Sequence, residues 1–243
     1  MSHKSSIALT VLSLSFYLTS FANGQSPDSS NETVGTELRP GKIVIEEDIW
    51  FHFIDEPSKQ MHLAHESFLK QEYNTTTNQL RKAGAYLHVA AQHASTETKA
   101  ALVASESEMK TLAESVEDGS ERSAKSLESA FARAEHALAA YNNANARSAF
   151  RQRRAAAAGQ YLHSAVAHLE NGATWTGHKL ESDAHKTAEG VRATAEKLRT
   201  GSGEMVDEAG YGITWVGEEI EKLGHAIEPH RREDSLKNTA VDK

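Results

Sequence analysis

Residues 120–141 read SERSAKSLESAFARAEHALAAY, and within them Ser120, Ala124, Leu127, Phe131, Ala134, Leu138 and Tyr141 advance by alternating steps of four and three. A strand would show its apolar residues at every second position. Steps of three and four instead return each residue to one side of an α-helix, so this stretch is a helix with a packing seam along it.

Working backwards, the same spacing recurs at Leu102, Ser105, Met109, Leu112 and Val116, with Ser95 as N-cap and Asp118-Gly119 as the stop. Residues 74–93 place Leu80, Ala83, Leu87 and Ala90 on one face. Residues 57–71 do so with Met61, Ala64 and Phe68, Pro57 sitting in the first turn, and Gln71 to Tyr73 is the turn between these two helices. Ahead of them Ile49, Trp50, Phe51, Phe53 and Ile54 form the densest apolar patch outside the N-terminal leader, read as a plug over one end of a bundle, after a short β-branched run at Ile43-Val44-Ile45.

Working forwards, Asn142, Asn143 and Asn145 are expected to loosen the helix after Tyr141. A further helix carries Phe150, and a long run from Ala155 to Leu198 passes through Leu162, Leu169, Ala173, Leu180 and Val191, with Asn171-Gly172 as its expected break. Residues 203–228 carry a last seam, Val206, Ala209, Ile213, Val216, Ile220, Leu223 and Ile227, which Pro229 should end. The domain reading that follows is residues 42–141 as a first helical half, 142–229 as a second, and 230–243 as an unstructured tail. The fold class is all-α, six or seven antiparallel amphipathic helices in a bundle.

Residues 1–24 read as a cleavable signal peptide: a basic start at His3 and Lys4, an apolar stretch from Ile7 to Leu18, and the small pair Ala22 and Gly24 before Gln25. A dozen apolar residues are too few to span a hydrocarbon core of about 30 Å, so no transmembrane anchor is expected after cleavage. Residues 25–41 are polar and turn-rich, a flexible leader. The expected location is therefore secreted or periplasmic. Without Lys4 the chain carries 25 basic against 34 acidic residues. Such an acidic surface argues against nucleic acid. No cysteine is present, which excludes disulfides, thiolate metal sites and thiol nucleophiles.

Sliding the chain on itself by 82 residues superposes Phe68 on Phe150, Leu80 on Leu162, Ala83 on Ala165 and Leu87 on Leu169. Further on, an offset of 89 pairs Leu127, Phe131, Ala134 and His136 with Val216, Ile220, Leu223 and His225. Two duplicated halves with a loop insertion between them would produce this pattern. Residues 64–87 resemble a tetratricopeptide-like hairpin, without the 34-residue period of that family, and residues 183–200 resemble the Ala-, Lys-, Glu- and Thr-rich repeats of desiccation-protective proteins. Neither resemblance implies a function here.

Thirteen histidines make the one candidate chemistry. Neutral imidazole is the commonest ligand for zinc, copper and nickel, and His62 and His65 lie one helical turn apart with Glu66 beside them, the best local pair for a divalent metal. His163 with His168, His88 with His93, and His178 with His185 are more widely spaced. Otherwise imidazoles at these positions are seam-flanking residues, one edge on the core and one in water. No phosphate loop, nucleophile elbow or zinc-protease helix is present, so no catalytic residue is assigned and no cofactor is expected. The leading expectation is a non-enzymatic helical module of the cell envelope that binds a protein partner. The alternatives are histidine-mediated metal binding, and a membrane-surface or stress-protective amphipathic chain, which would pack poorly.

Overall fold

An apolar seam drives a helix to bury one side, and in the computed structural model the described seams do so from within their helices; Ser120, expected in the seam of residues 120–141, is exposed and precedes its helix, and Leu180 lies outside the described residues. The structure describes residues 47–177, 182–201 and 206–241; the segments read as signal peptide, leader and β-branched run lie outside these. Among the described residues the chain is all-α. One short helix, α1 (Glu47–Phe51), precedes seven longer ones: α2 (Glu56–Leu69), α3 (Tyr73–His93), α4 (Thr96–Glu117), α5 (Ala124–Arg151), α6 (Ala155–Trp175), α7 (Ser182–Thr200) and α8 (Val206–Val241). From α2 onward each packs on the next in sequence, and α5 also meets α2 and α8, while α6 meets α8.

Leu127, Phe131, Ala134, Leu138 and Tyr141 of α5 are all buried, as are Leu102, Met109, Leu112 and Val116 of α4 and Ala209, Ile213, Val216, Ile220, Leu223 and Ile227 of α8. Each large side chain among them contributes roughly 1.5–3 kcal/mol by leaving water. The expected plug is α1 and the turn after it. Trp50 and Ile54 are buried, Trp50 standing edge-on to Tyr141 of α5 at 6.4 Å and Phe51 edge-on to Tyr161 of α6 at 4.9 Å. Phe53 stacks on Tyr86 of α3 at 6.2 Å and stays partly exposed. No helix among the described residues is long and apolar enough to cross a membrane.

Three helix ends and one register differ from expectation. The Asn-rich stretch does not interrupt α5, because Asn142 turns its amide back to donate to the carbonyl of Leu138 and stays inside the helix. The boundary drawn after Tyr141 thus falls within one continuous helix. Asn171-Gly172 does not break α6 either; the chain leaves the helix at Gly177, whose φ of 72° only glycine adopts without strain. Pro229 does not end α8, which continues to Val241 through the stretch expected to be an unstructured tail. A proline forfeits one N–H and leaves the carbonyl four residues earlier without that donor.

The fourth difference concerns register. α3 and α6 have 21 residues each and begin 82 residues apart, and α5 and α8 also begin 82 residues apart, not 89. A seam of period seven matches itself when shifted by seven, which is the whole excess. Four of the helix-ending residues in the left-handed region fall at the same interval, Gln71 and Arg153 (φ 62° and 59°) and Gly119 and Gly201 (φ 80° and 70°), while Gly177 has no such counterpart.

Candidate functional site

α2 carries His62 and His65 outward against the C-terminal residue of α6. The His62 ring lies 4.7 Å from the centroid of Trp175 at 34°, and His65 meets the same indole edge-on at 5.1 Å, with Phe131 behind it at 5.2 Å. His65 Nε2 is also 3.0 Å from Glu128 Oε1 of α5. Both imidazoles therefore converge on a ring rather than on a common ligand point. Among the described residues no group of three or more His, Asp or Glu side chains is arranged to hold a metal ion. The other pairs separate as well: His168 is buried while His163 is exposed, and His88 spends Nδ1 on Glu106 and Nε2 on Gln92. His178 lies outside the described residues.

The most unusual chemistry is inside. Glu135 of α5 and His168 of α6 are 0 % and 1 % exposed, and Ser58 from the first turn of α2 is buried beside them. Ser58 Oγ donates to Glu135 Oε2 at 2.9 Å, and His168 Nδ1 lies 2.7 Å from the same oxygen and 3.0 Å from Ser58 Oγ. A buried carboxylate is tolerated only when paired and hydrogen-bonded, and this one is tied to two helices at once. Three further atoms, Glu135 Oε1, His168 Nε2 and Ser164 Oγ, are buried with no hydrogen-bond partner among the described residues. The nearest charged group to Nε2 is Asp55, 3.9 Å away.

These are the residue types of a serine–histidine–acid triad, in the wrong connectivity. Nucleophilic catalysis needs the acid on one imidazole nitrogen and the hydroxyl on the other, so that the ring can pass a proton between them. Here both oxygens meet Nδ1, and no deprotonation of Ser58 follows from that arrangement. The cluster instead fixes the register of α2, α5 and α6. Sequence reading missed it because its members are 77 and 110 residues apart. One signal was present: Glu135 interrupts a second buried stripe of small residues along α5, Ala132, Ala139, Asn142, Ala146 and Ala149.

His136, next along α5, faces α8. Its Nε2–H donates to the carbonyl of Ile220 at 3.1 Å, and a Cβ placed on Gly224 would stand 3.0 Å from that nitrogen. Burial holds the imidazole below its ordinary pKa, and the bond to the carbonyl only partly opposes this. Such a ring is neutral at pH 7.

Among the described residues the surface offers an apolar groove. It runs between α3 and α4, about 680 Å³, over Gly84, Ala85 and Val89, with Arg81, His88, Glu106, Lys110 and Glu114 along its rims. Gly84 is where the helices come together, its missing Cβ standing 3.5 Å from Met109 Cβ.

The chain matches no protein-family model, no curated protein and no solved structure. Of the three features, only the groove is open to another molecule, since the Ser58 cluster is sealed and the Trp175 rings are occupied by one another.

Proposed function

We propose that this chain is an exported, non-enzymatic helical scaffold, built from a duplicated three-helix unit, that holds a protein partner in the groove between α3 and α4. The groove carries the reading, and the comparison between halves sharpens it. At the 82-residue offset the residues in place of Gly84, His88 and Lys110 are Val166, Glu170 and Arg192. Val166 is fully buried and an ion pair joins Arg192 to Glu170, so the corresponding position between α6 and α7 is filled and bridged. Both positions carry a polar bridge between their helices, His88 to Glu106 and Arg192 to Glu170; they differ in the side chain that Gly84 lacks and Val166 supplies. An apolar floor with charged rims suits a segment that presents apolar anchors flanked by both charges. A protective chain that stays unpacked in water would not bury the side chains that α2 to α8 bury.

The test is site-specific photo-crosslinking in the cells that make the protein, with the probe at Ala85 or Lys110 in the groove and at Leu69, 62 % exposed on α2, as control. One partner polypeptide should be captured from both groove positions and not from Leu69. Gly84→Val, which copies Val166, should abolish capture without unfolding the protein. Capture from Leu69 equal to that from the groove, or none from the groove, refutes the reading. N-terminal sequencing of the exported fraction should begin at Gln25; retention of the first 24 residues in the cytoplasm refutes export.

A further inference from the structure

We propose that His136 is a proton-sensitive latch that holds residues 220–227 of α8 against α5 and α6. Three observations meet at this point. The His136 ring lies between α5 and α8 and is tied by Nε2–H to Ile220, near the end of the buried part of the α8 seam. Gly224 makes room for it: any side chain there would meet the imidazole. One position away Leu223 lies against Gly172 of α6, where an added Cβ would stand 2.7 Å from Leu223 Cδ2 and 3.4 Å from Glu135 Cβ. Leu223 of α8 and Glu135 of α5 thus meet the same glycine of α6. The hold of Leu223 depends on the turn that His136 anchors.

Acid acts on this contact in one direction. Burial disfavours the imidazolium in the docked state, so the docked His136 resists the proton that an undocked one takes up. Docking is unaffected above the ordinary histidine range, near pH 6.5, and weakens as the pH falls below it. The charged groups on the packed elements do not offset the new charge, being engaged elsewhere: Glu135 with Ser58 and His168, Arg133 with Glu108 of α4, Glu219 with Lys222, and Glu170 of α6 with Arg192 of α7. On α8 itself Glu221 and His225 point to solvent. Between residues 220 and 227 only Ile220, Leu223 and Ile227 are buried, so this segment loosens while the earlier seam from Ala209 to Val216 holds.

Hydrogen exchange read by mass spectrometry on the full chain, corrected for intrinsic rates, tests the latch. From pH 7.5 to pH 5.0 the amides of residues 220–227 should lose protection several-fold relative to residues 76–91 of α3. His136→Gln, which keeps a donor for the Ile220 carbonyl and does not titrate, should remove that response, and His225→Gln should retain it. Unchanged protection at 220–227 in the wild type, or the same fall in His136→Gln, overturns the proposal. Should His136→Gln not fold, imidazole NMR of the wild type decides: protonation of His136 must track the loss of protection, and protonation without it refutes the latch.

Discussion

Adding one methyl group at Gly159 should separate α6 from α7. A Cβ there would stand 2.8 Å from the backbone nitrogen of Arg199 and 2.9 Å from Leu198 Cβ, and closer still to the carbonyl oxygen of Ala195. Ordinary contact begins near 3.4 Å. Backbone atoms have no rotamer through which to give way, so the helices themselves must part by about half an ångström or more, and overpacking of this kind costs up to about 3 kcal/mol. Alanine recovers about 1 kcal/mol through its better helix propensity, leaving Gly159→Ala destabilised by about 2 kcal/mol. Gly190, on α7, supplies the control. A Cβ there meets nothing within 4 Å, so Gly190→Ala receives the propensity gain alone, about 1 kcal/mol. In a chain of this length 1 kcal/mol moves Tm by about 2–4 °C, which places the two variants about 6–12 °C apart on either side of the wild type. Thermal melts followed by circular dichroism measure this. A Gly159→Ala protein that melts at or above the wild type would mean that α6 and α7 do not approach as described.

The buried cluster predicts a large, one-sided penalty: Glu135→Ala, which strands His168, should cost about 3–5 kcal/mol in urea unfolding, whereas an effect under 1 kcal/mol would show the pair to be dispensable. Because Ser58 and Glu135 both meet the same imidazole nitrogen of His168, a fluorophosphonate serine-hydrolase probe should leave Ser58 unlabelled, and covalent labelling at Ser58 would overthrow the connectivity argument. Zinc, copper or nickel should leave Tm unmoved, since His62 and His65 are committed to Trp175 and Glu128; a rise that disappears in His62→Ala/His65→Ala would restore a metal site there. Ser123, whose side chain accepts from the backbone N–H of Ser126, caps α5, and Ser123→Ala should lower stability by about 1 kcal/mol in the same urea assay.

The seams were legible because a three-and-four spacing is written locally, and Leu127, Phe131 and Leu138 needed no knowledge of their neighbours to be placed inside. Helix ends were less so. Asn142 looks like a breaker until its side chain is seen to bond one turn back, and Gly172 looks like a stop until Leu223 and Glu135 are found against it, where only glycine fits. The cluster itself was invisible, since nothing in the residues flanking Ser58 announces a partner on α6. His62 and His65 were correctly seen as neighbours, but one-dimensional spacing carries no information about Trp175 arriving from the end of another helix. The groove depends on an absence, the side chain missing from Gly84, and acquires meaning only beside Val166.

α5 runs without interruption from Ala124 to Arg151, its first turns aligned with the start of α8 and its last with α2. Modular proteins usually join their parts by a linker that swivels. α5 offers no such swivel: it is one rod of 28 residues, buried on more than one side. Bending it would break intrahelical hydrogen bonds and open the core together. Because α5 packs on α2, α4, α6 and α8, a bend in it would disturb four helix contacts at once.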